Sequence, residues 1–198
     1  MRYLPYYKEF FGQRLIIFLL LLCLSSFGGF AATFNGYRSV VAVLSGVVLF
    51  IVLEYIAHRY LLHQFPRLLP AAYQGHVAHH QYPQDIKYLF GPVRYDVIAY
   101  IVIFGITYLI TGNNLNLAFS VVFGSTLYQI YYQWKHYVSH RPIKPWTPWG
   151  RHVKKWHLLH HHMDENAFFG VSNSFVDILM GTNKPQNAKY SSQEKKQM

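Results

Sequence analysis

Charge and cysteine are both scarce in this sequence. Only 13% of its 198 residues are charged, against about 25% in an average soluble domain. That excludes an ordinary soluble globule and a disordered chain. Acids are scarcer than bases, eight against eighteen. Cys23 is the one cysteine, so a disulfide-stapled scaffold, a Cys-based zinc ribbon and a Cys-ligated iron–sulfur cluster all fall away. What is abundant is apolar residues, at 52%, and histidine, at twelve. The histidines outnumber the carboxylates, and that is the anomaly to explain.

The apolar residues come in long runs. Leu15 to Tyr37 is free of charge over 23 residues, enough for a helix across a bilayer core of about 30 Å. It exceeds the roughly 7–15-residue core of a signal peptide and is read as a retained helix. A second run extends from Ser39 to Ala57, broken only by Glu54. Between Asp96 and Lys135 no formal charge occurs, and Thr111-Gly112-Asn113-Asn114 divides this stretch into Val97–Ile110 and Leu115–Trp134. Four transmembrane helices are expected, the third the shortest, with almost no polar residue near mid-membrane. Of the eighteen Lys and Arg, all but Arg38 then fall on one side, which the positive-inside rule assigns to the cytoplasm with both termini. The net charge of +10 is thus a topological signal, and no nucleic-acid partner is expected. Residues 1–183 read as a single membrane domain and 184–198 as a polar tail.

All twelve histidines lie in or beside the two long segments on the basic side. His58 and His63 end the second run, and His76, His79 and His80 follow as HXXHH. His136 and His140 end the fourth run, and His157, His160 and His161 follow as a second HXXHH. At about 100° per residue HXXHH puts its three imidazoles on one helical face, and HX3H puts its pair one turn apart. HX4H leaves its pair about 140° apart, so the helix is expected to end, bulge or tighten near His58. Two spans carrying a pair each and two following helices carrying a triplet each can bring ten imidazoles to one site. Ten exceeds what one metal takes, so two metals are expected, and imidazole alone leaves iron, zinc, copper and nickel open. His152 and His162 are left outside the site. Glu54 is read either as orienting a ligand such as His58 or as an interface residue. Asp85, Asp164 and Asp177 are candidates for holding imidazoles in place, although a cap or turn contact before Gly181 suits Asp177 better.

From Glu54 to Thr182 the chain resembles the fatty acid hydroxylase superfamily of histidine-rich membrane oxygenases, most of all the fatty acid 2-hydroxylases acting on sphingolipid acyl chains. EYIAHRYLLH resembles the family's first box, HVAHHQYPQD its second, and HYVSH with WHLLHHHMDENAFFGVSNSFVDILMGT its third and fourth. The resemblance implies an all-α membrane fold of four transmembrane helices with a cytoplasmic helical cap carrying the dimetal site. It implies His58, His63, His76, His79, His80, His136, His140, His157, His160 and His161 as ligands of two metals, iron by preference, with zinc able to occupy the site in purified protein. The implied activity is O2-dependent hydroxylation of a fatty-acyl or sphingolipid chain. The cytochrome b5 domain fused to eukaryotic 2-hydroxylases has no counterpart here, so a separate donor of cytochrome b5 or ferredoxin type is expected, and a bacterial inner membrane is favoured over the endoplasmic reticulum. The family's double proline after the second box is Gly91-Pro92 here. Alternatives are a lipid or sterol desaturase or a carotenoid hydroxylase on the same site and, from another class, a membrane metal-storage or transport protein.

Overall fold

The computed structural model describes residues 3–186, all helix, turn or loop with no strand among them. The expected tail, 184–198, lies outside the described residues from 187 onward. In chain order the helices are α1 (Leu4–Phe11), α2 (Arg14–Ala32), α3 (Tyr37–Ile56) and, after a π-helical turn at Ala57–Gln64, α4 (Pro70–Gln81). There follow α5 (Ile86–Leu89), α6 (Val93–Ile110), α7 (Leu115–Ser139), α8 (Pro148–His162) and α9 (Phe175–Met180). Contacts divide the chain into two compact units, Met1–Ile51 with Phe90–Gln133 and Val52–Leu89 with Trp134–Met198.

In the first unit Leu15, Leu19, Tyr100 and Val122 form a buried cluster, joined by Phe18, Leu22, Ile103 and Phe104. Large apolar side chains also stay exposed, among them Leu21 and Leu24 on α2 and Ile101, Leu109 and Ile110 on α6. A helix apolar all round belongs in lipid or in a large core. Three stretches are long and apolar enough to cross a membrane: Arg14–Ala32, Tyr37–Gln64 and Ile86–Ile110.

The fourth expected run forms the first twenty residues of α7, and it is not free of polar groups. Asn116, Ser120, Ser125, Thr126, Gln129 and Gln133 are all buried. Each polar group needs a partner away from water, and the unit supplies them for Asn116, Ser120, Ser125, Thr126 and Gln129. Ser39 donates to Asn116 Oδ1 at 2.6 Å, Ser125 to the Gly46 carbonyl at 2.9 Å and Tyr100 to Gln129 Oε1 at 2.7 Å. Glycines bring α3 and α7 into backbone contact. A Cβ at Gly46 would stand 2.2 Å from the Val121 carbonyl oxygen, and one at Gly124 2.0 Å from that of Val43. Small residues at such a crossing give the close packing that holds helices together in lipid.

The second unit contains the end of α3, the π turn, α4, α5, the end of α7, α8 and α9. Proline opens α4 at Pro70 and α8 at Pro148, where its missing N–H costs nothing. Thr147 caps α8 by accepting from Gly150 N at 3.0 Å. The helix irregularity expected at His58 is a widening: Phe65 N donates to the Tyr60 carbonyl, five residues back, at 2.7 Å. An i→i+5 bond stacks residue i under i+5 as an α-helix stacks i under i+4. His58 and His63 are five apart, so the π turn puts on one face a pair that an α-helix would separate.

Candidate metal centre

The ten histidines named from their spacing gather in the second unit as two groups of five. His58, His63, His76, His80 and His160 form one, and His79, His136, His140, His157 and His161 the other. Each residue offers one ring nitrogen, and within a group these atoms all lie within 4.8 Å of one another. The groups interleave the sequence: α4 sends His76 and His80 to one and His79 to the other, and α8 likewise divides His160 from His157 and His161. They abut, with the rings of His80 and His161 stacked at 4.2 Å between centroids.

Within each group Nε2 atoms point at one another. In the first, His76 Nε2 lies 2.9 Å from His63 Nε2, which lies 3.1 Å from His160 Nε2. In the second, His140 Nε2 stands 2.8 Å from His157 Nε2, and His136 Nε2 3.1 Å from His79 Nε2. His58 Nε2 and both ring nitrogens of His161 are buried with no protein partner. Imidazoles left so would carry a desolvation cost with little return.

Burial, reinforced by the neighbouring imidazoles, pushes His79 down to about 2 and His80 to about 3. Burial and then the Arg141 guanidinium do the same for His140, to about 3. His76, His136, His157 and His160 are also held well below the usual histidine range by burial and one another. At neutral pH these rings are uncharged, and a neutral imidazole is the form that ligates a metal.

The donor set fits a metal pair. At about 2.0–2.1 Å from an ion, nitrogens on opposite sides stand about 4 Å apart, close to the spread within each group. All-imidazole donors suit iron, zinc, copper or nickel.

Two histidines stay apart: His152 Nε2 meets Ser174 Oγ at 2.9 Å between the rings of Trp149 and Trp156, and His162 is exposed. The carboxylates differ from expectation. Asp85 accepts from Lys87 N at 2.9 Å at the start of α5, and Asp164 accepts from Asn166 N and Gln186 N at 3.0 and 2.5 Å. Glu54 is buried and does not orient His58 directly. It accepts from Val171 N at 2.7 Å, from Ser172 N at 2.8 Å and from Ser172 Oγ. Asp177 makes more than a turn contact: it accepts from Phe169 N, Gly170 N, Trp156 Nε1 and Thr182 Oγ1 at 2.7–2.9 Å. Two imidazoles meet backbone carbonyls instead, and the exposed Glu165 carboxylate lies 3.9 Å from His80 Nδ1. His58 Nδ1 lies 2.5 Å from the Phe169 oxygen and His160 Nδ1 2.8 Å from the Ala167 oxygen. A carbonyl leaves no mark in a sequence, and the sole pointer to these two was the FGVS stretch beside them.

With this geometry established, comparison with known proteins decides the lineage. The profile of the fatty acid hydroxylase family matches residues 43–182. The chain belongs to the fatty acid hydroxylase family. All ten clustered histidines fall inside the match. A dihydroceramide fatty acyl 2-hydroxylase of Arabidopsis thaliana is 30% identical over 145 residues, covering 71% of this chain and 59% of that protein. A ceramide very long chain fatty acid hydroxylase of Schizosaccharomyces pombe is 28% identical over 167 residues, covering 79% and 47%. The chain thus spans about half to three fifths of the length of these relatives. The solved structure of full-length scs7p, in which only the hydroxylase domain is visible, superposes with a TM-score of 0.75 at 26% identity, covering 87% of this chain and 68% of that one. These relatives come from a plant and a yeast, which lends no support to the bacterial membrane expected from the sequence.

Proposed function

We propose that this chain hydroxylates the acyl chain of a fatty acid or ceramide-type sphingolipid, using O2 and electrons from a separate donor protein. The observation that carries the reading is the pair of five-imidazole groups, in a family whose relatives bear the names of ceramide and dihydroceramide acyl hydroxylases. The overall reaction balances as R–H with O2, two electrons and two protons giving R–OH and water. His58, His63, His76, His80 and His160 would hold one metal and His79, His136, His140, His157 and His161 the other, with iron as the expected element and zinc as a substitute in purified protein. An iron pair, when bound, would supply the redox chemistry that activates O2 toward a C–H bond, which redox-inert zinc would not.

The protein's own part is placement and exclusion. Burial of His58, His79, His157 and His160 keeps water away from the reacting centre. The suppressed basicity of the imidazoles keeps them ligands at neutral pH, so they do not act as proton donors. The topology proposed with this function has four spans, α7 being the fourth, and places the histidine side, both termini and the electron donor in the cytoplasm. We treat residues 1–183 as one functional domain.

Untargeted lipid mass spectrometry tests the activity, comparing cells expressing the full chain with cells expressing His160→Ala, both grown with iron and air. A lipid class that gains one oxygen only with the unaltered chain is the expected result. A loss of two hydrogens instead would make the enzyme a desaturase. Identical lipids in both cultures, with the protein metal-loaded and an electron donor co-expressed, would contradict the hydroxylase reading and favour metal storage.

A further inference from the structure

Four consecutive backbone amides in the loop before α9 are shared between two buried carboxylates. Phe169 N and Gly170 N donate to Asp177 at 2.9 and 2.8 Å, and Val171 N and Ser172 N to Glu54 at 2.7 and 2.8 Å. The preceding amide, Phe168 N, donates to the Thr182 carbonyl at 2.8 Å. Phe168 holds φ at +59°, a conformation that a bulky residue keeps only when its surroundings impose it. No side chain fits at Gly170, where a Cβ would stand 1.8 Å from the Asn173 carbonyl oxygen. The segment is therefore fixed at every residue, and the carbonyls of Ala167 and Phe169 point from it at His160 Nδ1 and His58 Nδ1.

Both of those imidazoles belong to the same group of five. A ring that donates its Nδ1–H to a fixed carbonyl is locked as one tautomer and orientation, with Nε2 free to ligate. In the other group, His79 Nδ1, His157 Nδ1 and His161 Nδ1 have no protein partner. The two groups thus have equal donor counts and unequal scaffolds.

We propose that Glu54 and Asp177 are positioning residues for one metal site of the pair: they hold the Ala167–Ser172 segment, and through it His58 and His160. The site of His58, His63, His76, His80 and His160 then binds metal more tightly than the site of His79, His136, His140, His157 and His161. This rests on the metal-bearing reading of the histidines. Orienting partners of this kind are worth about 10–100-fold in metal affinity.

The test uses the purified full chain, stripped of metal, titrated with Co2+ and challenged with a chelator, with bound metal measured by mass spectrometry and by the cobalt absorption bands. The wild type is expected to release two equivalents at chelator midpoints at least tenfold apart. Asp177→Asn keeps the side chain's size but turns one acceptor oxygen into a donor facing Gly170 N and Trp156 Nε1. It should weaken the tighter equivalent about 10–100-fold, shift that site's cobalt bands and leave the looser equivalent alone. Glu54→Ala should do the same, whereas Glu54→Gln, which retains an oxygen for Val171 N and Ser172 N and an amide for Ser172 Oγ, should restore the tight site. His79→Ala should delete the looser equivalent only, an outcome that does not depend on the carboxylate variants folding. Equal midpoints in the wild type, loss of the tighter equivalent in His79→Ala, or an equal weakening of both sites in Asp177→Asn would overturn the proposal. A wild type that binds no cobalt would overturn the metal-bearing reading itself.

Discussion

The two halves of the histidine cluster are alike in number and unlike in support. Each has five imidazoles with one nitrogen apiece inside a 4.8 Å spread. In one, two rings are pinned at Nδ1 by carbonyls of a segment that two buried carboxylates hold down. In the other, three Nδ1 atoms have no protein partner. The HXXHH helices α4 and α8 give three histidines to each group, while the π turn gives His58 and His63 to one and the end of α7 gives His136 and His140 to the other. The difference in support lies in the chain around them. Ligand type sets which metals fit, whereas the second layer sets how firmly each is held.

Removing a ligand should give the largest effect and blur the comparison. His160→Ala and His157→Ala are both expected to abolish turnover, measured as hydroxylated lipid per mole of protein, because a paired centre fails when either half fails. They should differ in metal content, His160→Ala losing the tighter equivalent and His157→Ala the looser. Gly170→Ala sharpens the contrast. Its Cβ would collide with the Asn173 carbonyl, an overpacking cost of about 1–3 kcal/mol, visible as a lower Tm together with loss of metal from the tighter site alone.

Acid should act on both halves together. His79, His80 and His140 have folded-state values of about 2, 3 and 3, against about 6.5 in the unfolded chain. The unfolded chain therefore takes up protons first, and stability present above about pH 6.5 is lost as the pH falls toward 3. The slope is up to about 1.4 kcal/mol per pH unit for each such histidine. Thermal unfolding of metal-free protein at pH 7.5 and 5.5 should show a clearly lower Tm at 5.5; equal values would mean the rings are not buried neutral. The smallest effect is expected at His162, which is exposed. His162→Ala should leave the count of bound metals unchanged and stability within about 0.5 kcal/mol.

The gathering of these ten histidines was readable because helical geometry is local: HXXHH and HX3H fix which side chains share a face over a few residues. The same reasoning registered the His58–His63 mismatch, but the π turn that resolves it depends on a hydrogen bond from Phe65 to Tyr60 that no residue type announces. Glu54 is read from the sequence two ways, as orienting His58 or as an interface residue, and its partners stay hidden for a different reason. The donors it accepts from lie 117 and 118 residues along the chain, out of reach of one-turn reasoning. The runs of α2, α3 and α6 were legible as membrane-capable from composition. The buried polar row of α7 was not, since Asn116, Ser125 and Gln129 answer partners on other parts of the first unit.

Isotope incorporation tests the central claim most directly. Membranes containing the full chain, loaded with iron and given an electron donor, would be incubated with ceramide under 18O2, with His160→Ala as the control. The account predicts one 18O atom in the acyl chain of the product, absent from the control. Unlabelled product, or product that has lost two hydrogens without gaining oxygen, would contradict it.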